Sequence, residues 1–258
     1  MNLGGTEKAL LGLLNEIDLK ENEVTVLLLE KKGELLNRIP NEVKIKTVPE
    51  FEKMKPIIFN PPHYYAMSEL KKKNIFNAIR TIIRYIKVKL TNSWYYNYIE
   101  ALKEYPIKYE ADIAVAFAGP SDFISYLILN NVKAKIKYQW IHFDVTKVIS
   151  NKNFGKRFYH RFDKIFCVSQ NSKNTFVKEF PQFESKTEIF ENIVSETDLK
   201  HQSEFGESFH DDFDGIRILT LGRLAVEKGQ QLVPNVVRRL KDDGLNFRWY
   251  LIGEGNLR

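Results

Sequence analysis

The sequence predicts an α/β protein built on parallel strands. Three observations point there. Short apolar runs of strand length alternate with amphipathic stretches of helix length along most of the chain. The pattern restarts at Ile216 with a second strand, helix and strand. The composition, 43% hydrophobic and 28% charged over 258 residues, is that of a globular chain large enough for one large or two small domains.

The elements follow in order. Leu10, Leu11, Leu14 and Ile17 form a helical stripe directly after Gly4-Gly5. Val24–Leu29 reads as a buried strand and Val43–Val48 as an alternating one, while Pro56 to Tyr65, with Pro61-Pro62, reads as loop. Ile75, Ile79, Ile83, Ile86 and Leu90 recur at helical spacing, with Arg80, Arg84 and Lys87 off the stripe; this predicts a helix whose isoleucines face the sheet and whose cations face water. Asp112–Ala118 is a strand closed by Gly119-Pro120, after which Ser121 is placed to cap a helix through Leu129. Lys135–Ile141 and Lys164–Val168 read as strands, Ser169 as the cap of a helix over Lys173–Phe180 ended by Pro181, and Glu188–Phe190 as a short strand. After the restart, Ile216–Leu221 and Phe247–Ile252 are strands flanking a helix over Gln230–Lys241. A strand before Gly4 is expected because Gly4-Gly5 followed at once by a helix reads as a strand-to-helix turn, and further strands after Ile252 because one βαβ unit cannot bury both faces of its sheet.

Charge is unevenly distributed. Ser68–Lys103 carries eight cations (Lys71, Lys72, Lys73, Arg80, Arg84, Lys87, Lys89 and Lys103) against Glu69 and Glu100, interleaved with Trp94, Tyr95, Tyr96 and Tyr98. A basic amphipathic helix with such aromatics suits an anionic membrane surface. It equally suits a first-domain helix with solvated lysines. No nucleic-acid motif accompanies it, so no nucleic-acid partner is expected. Ser195–Asp214 carries seven anions against Lys200 without an apolar period, which reads as an exposed linker with a solvated charge. No run reaches the about 18 apolar residues of a membrane span. The single Cys167, in the apolar run Ile165–Val168, excludes an intramolecular disulfide framework and a cysteine-based zinc site, and reads as a small core residue in a reducing, cytoplasmic compartment.

The most informative segment is Leu221-Gly222-Arg223-Leu224-Ala225-Val226-Glu227-Lys228-Gly229, where a strand ends and a helix is about to begin. Ligands of open α/β sheets bind at the carboxyl ends of strands. Glycines allow close backbone approach there, and Arg223 and Lys228 are suited to a diphosphate. Spacing alone also fits a surface loop with solvated cations.

Gly-Arg-Leu-x-x-x-Lys-Gly after a strand, followed by Tyr250-Leu251-Ile252-Gly253-Glu254-Gly255, resembles the second domain of glycosyltransferase family 4, the group 1 glycosyltransferases. Met1-Asn2-Leu3-Gly4-Gly5-Thr6-Glu7 is similar to the first-domain Gly-Gly-x-Glu loop of that family, and Tyr138-Gln139-Trp140-Ile141-His142-Phe143-Asp144 to its Trp-x-His segment. Val168-Ser169 and Ile189-Phe190-Glu191-Asn192 resemble its run into the interdomain crossing. The resemblance implies a GT-B fold of two Rossmann-like domains: residues 1–200 on the acceptor side, an acidic linker over 201–214, and the opening βαβ unit of the nucleotide-sugar domain over 215–258. It implies retaining, metal-independent transfer of a sugar from a nucleotide-diphosphate sugar to a glycan or lipid-linked acceptor, with no cofactor.

Under the resemblance Arg223, Lys228, Gly4 and Gly5 hold the donor phosphates. His142 faces the sugar as the catalytic candidate, Trp140 and Asp144 line the acceptor rim, and Lys71, Lys72, Lys73, Arg80, Arg84 and Lys87 dock a cytoplasmic membrane face. A glutamate pair that the family carries later in its second domain is not among these 258 residues. The alternative is therefore a non-catalytic module that binds acceptor or membrane. A nicotinamide-dependent enzyme is disfavoured because Gly4-Gly5 does not fit Gly-x-Gly-x-x-Gly.

Overall fold

A computed structural model describes residues 1–71, 75–148, 152–194, 199–200, 203–205 and 208–257. The chain forms two compact units, Met1–Glu196 and Thr197–Arg258. It is mixed α/β, and every described strand pair is parallel.

The first unit opens with helix α1 (Gly5–Glu16), followed by strands β1 (Thr25–Leu28) and β2 (Lys44–Thr47), which pair from Thr25↔Lys44 to Leu28↔Thr47. Leu11 and Leu14 of α1 bury against Val26, Leu35, Ile39 and Val43 in a core of their own. Helices α2 (Phe51–Phe59), α3 (Pro62–Lys71), α4 (Ile75–Thr91) and α5 (Tyr95–Glu104) come next. The loop expected over Pro56–Tyr65 is therefore replaced by the end of one helix and the start of another. Pro56 lacks the N–H that a helix interior uses, yet Phe51, Met54, Ile57 and Ile58 are all buried, and that burial holds α2 together. Pro62 is the first residue of α3, where a missing N–H costs nothing.

The larger core follows. Strands β3 (Tyr109–Glu110) and β5 (Val132–Lys133) form a short pair. Strands β4 (Ile113–Ala116), β6 (Ile136–Ile141), β7 (Lys164–Cys167) and β8 (Thr187–Ile189) form a sheet in that order. Helices α6 (Asp122–Asn131), α7 (Val145–Val148), α8 (Asn153–Phe158) and α9 (Gln170–Glu179) connect them. Phe123, Leu127, Phe158 and Phe176 from these helices meet Ala114, Ile141, Ile165 and the buried Cys167 of the sheet in one cluster. Ser169 caps α9, its hydroxyl accepting from the Ser172 amide at 3.2 Å, and α9 starts three residues earlier than the apolar pattern predicts. Ser121 sits at the α6 N-cap position but makes no capping hydrogen bond through its side chain.

One buried polar residue ties the sheet to its helix. Gln139 is fully buried in β6. Its carbonyl oxygen accepts from the equally buried Ser125 hydroxyl of α6 at 2.5 Å, and its amide nitrogen donates to the carbonyls of Trp140 (2.8 Å) and Ala116 (3.3 Å).

The expected stripe of α4 is present but faces the other way. Ala78, Thr81, Arg84 and Val88 are its buried side, while Ile75, Ile79, Ile83, Ile86 and Leu90 are exposed.

In the second unit, β9 (Ile216–Leu221), α10 (Val233–Asp242) and β10 (Phe247–Ile252) form the predicted βαβ arrangement, with β9 and β10 paired from Ile216↔Phe247 to Leu221↔Ile252. The acidic segment before β9 is more than solvated chain. Asp211 pairs with Arg217 and Arg248 and accepts from the Tyr250 hydroxyl at 2.8 Å, and the Phe209 ring lies 4.3 Å from the Tyr250 ring. The two guanidiniums and the tyrosine hold the Asp211 carboxyl down to about 2.

Gln139→Leu leaves Ser125 and two carbonyls without their amide partner. A stranded buried polar group costs about 1–3 kcal/mol, so the urea midpoint should fall with the slope unchanged. An unchanged midpoint would show that the Gln139 amide does not tie the sheet to α6.

Candidate functional site

His142 is the first residue past β6, at the carboxyl end of a central strand. Its backbone N–H donates to the Gly119 carbonyl at 2.9 Å. Its ring lies 4.7 Å from that of Phe117 and 6.4 Å from that of Phe143. Burial in this aromatic setting pushes the imidazole down to about 4, against the opposing pull of a hydrogen bond to the Phe117 backbone. Nε2 is buried and has no hydrogen-bond partner among the described residues. His142 is thus a neutral ring at pH 7 with one nitrogen held by backbone and the other unfilled. Such a ring can accept from a hydroxyl, and it is a poor proton donor.

The other first-unit candidates divide. Trp140 is buried, with the rings of Phe117, Phe166 and Phe190 within 5.2 Å. Asp144 accepts from the Thr146 amide (3.0 Å) and hydroxyl (2.6 Å), so its carboxylate caps the short helix α7. Gly4 and Gly5 open α1, where N–H groups suit an anion. The Glu7 carboxylate rests against Gly4, whereas a side chain at Gly5 would meet nothing.

Of the basic set, Lys71 and Lys87 are exposed and Arg80 pairs with Glu100 at 2.8 Å. Arg84 is only 6% exposed and cannot reach a docking surface, which corrects its place in that set. Lys72 and Lys73 lie outside the described residues.

In the second unit the two glycine-containing motifs, separate in sequence, pack together. The Gly222 amide donates to the Ile252 carbonyl and the Leu224 amide to the Glu254 carbonyl, both at 2.9 Å. A Cβ on Gly253 would collide with the Gly222 carbonyl, so this crossing requires glycine. The loop then makes a 3-10 turn over Val226–Lys228 that Gly229 closes at φ 72°, a conformation that suits glycine. Arg223 and Lys228 are exposed on this one loop, past the carboxyl end of β9.

Gln230, which carried no motif signal, is buried and holds the loop. Its amide nitrogen donates to the Arg223 carbonyl at 3.0 Å, and its carbonyl oxygen accepts from the Ala225 amide at 3.4 Å. No group of three or more His, Cys, Asp or Glu suited to a metal ion occurs among the described residues. No protein-family model matches the chain, and no curated protein does.

Two partly buried groups in the first unit titrate in opposite senses. His142, lowered to about 4 from 6.5, costs stability as pH falls through 6.5 toward 4, because the unfolded chain takes the proton more readily. Asp122, raised by burial to about 7 from 3.8, costs stability as pH rises through 3.8 toward 7. Relative to the parent protein, His142→Gln should make stability fall more steeply as pH rises from 4.5 to 6.5, and Asp122→Asn should make it rise. Urea unfolding at several pH values checks both, and variants whose profiles run parallel to the parent would refute the assignment.

Proposed function

We propose that this chain is the acceptor-side domain and the opening donor-side segment of a retaining, metal-independent glycosyltransferase of GT-B type. It would move a sugar from a nucleotide-diphosphate sugar to a glycan or lipid-linked acceptor during polysaccharide or glycoconjugate synthesis. The observation that carries the reading is the loop after β9, where Arg223 and Lys228 stand on a backbone braced by the Gly253 crossing and by Gln230. A diphosphate leaving group gains charge as the glycosidic bond breaks. Cations held in place beforehand stabilise that charge most in the transition state. Arg223 supplies a planar fork and Lys228 a point charge. His142, neutral and with Nε2 unfilled, supports a part in holding a sugar or acceptor hydroxyl rather than in donating a proton.

Titration calorimetry with nucleoside diphosphates tests this directly. Binding should favour diphosphates over the matching nucleosides. Arg223→Ala and Lys228→Ala should each weaken it about 10- to 100-fold, since a hydrogen bond to a charged group is worth about 1.5–3 kcal/mol. Affinity unchanged in both variants, or no preference for the diphosphate, would overturn the reading.

A further inference from the structure

Helix α4 is built inside out. Its protein-facing side holds Ala78, Thr81, Arg84 and Val88, and the face left in water holds Ile75, Phe76, Ile79, Ile83, Ile86 and Leu90. At about 100° per residue these six residues span roughly 100° of arc. Phe76 is 76% exposed and Leu90 82%. Exposed Met67 and Leu70 belong to α3, which packs on α4. A contiguous apolar face of this extent marks a contact surface.

The surroundings say what the contact is with. On the helical wheel Lys87 falls just beyond one edge of the arc and Lys89 just beyond the other, and both are exposed. At the C-terminal end of α4 a pocket of about 420 Å³ is lined by Thr91, Ser93, Tyr95, Tyr96, Lys156 and Arg157, together with Asn153, and by no carboxylate. The Arg157 guanidinium sits 5.2 Å over the Tyr95 ring, which fixes it at the pocket wall. Trp94, its indole N–H donating to the Ile58 carbonyl at 2.6 Å, stands beside it, half in water. Apolar residues bordered by lysines, with the partly exposed Trp94 and Tyr96 past the helix end, match an interface that is hydrocarbon on one side and anionic on the other. A second copy of the chain would bring the same lysines against these. No described helix is long and apolar enough to cross a membrane, so α4 would lie along a surface.

We propose that α4 docks on an anionic phospholipid bilayer: its isoleucine arc enters the acyl boundary, Lys71, Lys87 and Lys89 meet phosphates, and the Lys156–Arg157 pocket takes one headgroup phosphate. This goes beyond the donor reading, and neither depends on the other.

The test is flotation of the full chain, without nucleotide, on vesicles of mixed phosphatidylglycerol and phosphatidylcholine and on pure phosphatidylcholine. Binding is expected to the anionic vesicles, with little to the neutral ones. The double variant Ile79→Asp with Ile83→Asp, at exposed positions, should keep the parent urea midpoint and lose partitioning at least about tenfold. Lys156→Ala with Arg157→Ala should reduce the preference for phosphatidylglycerol. No flotation of the parent, or equal flotation of the aspartate variant, would overturn the proposal. So would a concentration-dependent dimer that the aspartate variant abolishes while vesicles go unbound, since the face would then belong to a second copy.

Discussion

The side-chain amide of Gln139 is the interaction on which the first unit's candidate site depends. It is fully buried where a parallel strand normally carries an aliphatic residue, and it is tolerated because each end of the amide is satisfied. Its partners belong to three elements: Ser125 of α6, Ala116 of β4 and Trp140 of β6. Gly119 packs directly on the same amide and on the Trp140 carbonyl, leaving no room for a Cβ. The Gly119 carbonyl then receives the His142 amide. The place of the imidazole at the strand end is therefore set through a chain of backbone contacts that begins at one buried glutamine.

That dependence explains what the sequence makes legible. Most strands are read within one or two residues of where they fall, because a parallel strand covered on both faces is a continuous apolar run bounded by Gly, Pro or charge; the two-residue pair β3 and β5 is too short to give such a run and goes unread. Trp140-Ile141-His142 reads as a strand end for the same reason. What cannot be read is the network: glutamine in an apolar strand gives no periodic signal, and neither does Gln230, whose partners are the backbone atoms of Arg223 and Ala225. The local engagement of Asp144 and Trp140 gives no sequence signal either. Both lie beside His142, but Asp144 accepts from Thr146 and Trp140 is enclosed by three phenylalanine rings.

Proline and amphipathicity mislead for different reasons. Pro61-Pro62 marks a boundary, and only the boundary: the residues on both sides are helical, because Pro62 opens a helix and the buried face of α2 outweighs Pro56. The α4 stripe is correct in period and wrong in sense. A helical period shows that the two faces differ, and only the packing shows which one meets the protein. The smaller side chains Ala78, Thr81 and Val88 allow close approach to the neighbouring helices, and Arg84 is drawn in with them; the bulky isoleucines are the ones left outside.

The second unit shows how little core is needed to shape a loop. Helix α10 buries no residue, and β9 and β10 leave Leu219, Leu221, Leu251 and Ile252 exposed. Order in these strands and in the loop past them comes from polar and steric contacts instead. Asp211 clips the two strands through Arg217, Arg248 and Tyr250, while the backbone of the Gly222 loop is laced to that of Gly253–Glu254. The glycine crossing and the Gln230 clip constrain backbone alone and use neither cation of the motif. A loop whose backbone is held by these contacts can present side chains to an anion, and substitution of Lys228 should then change binding without unfolding the loop. A backbone ordered in advance is what a charge-stabilising site requires, because a loop that had to reorganise would lose part of that stabilisation to its own ordering.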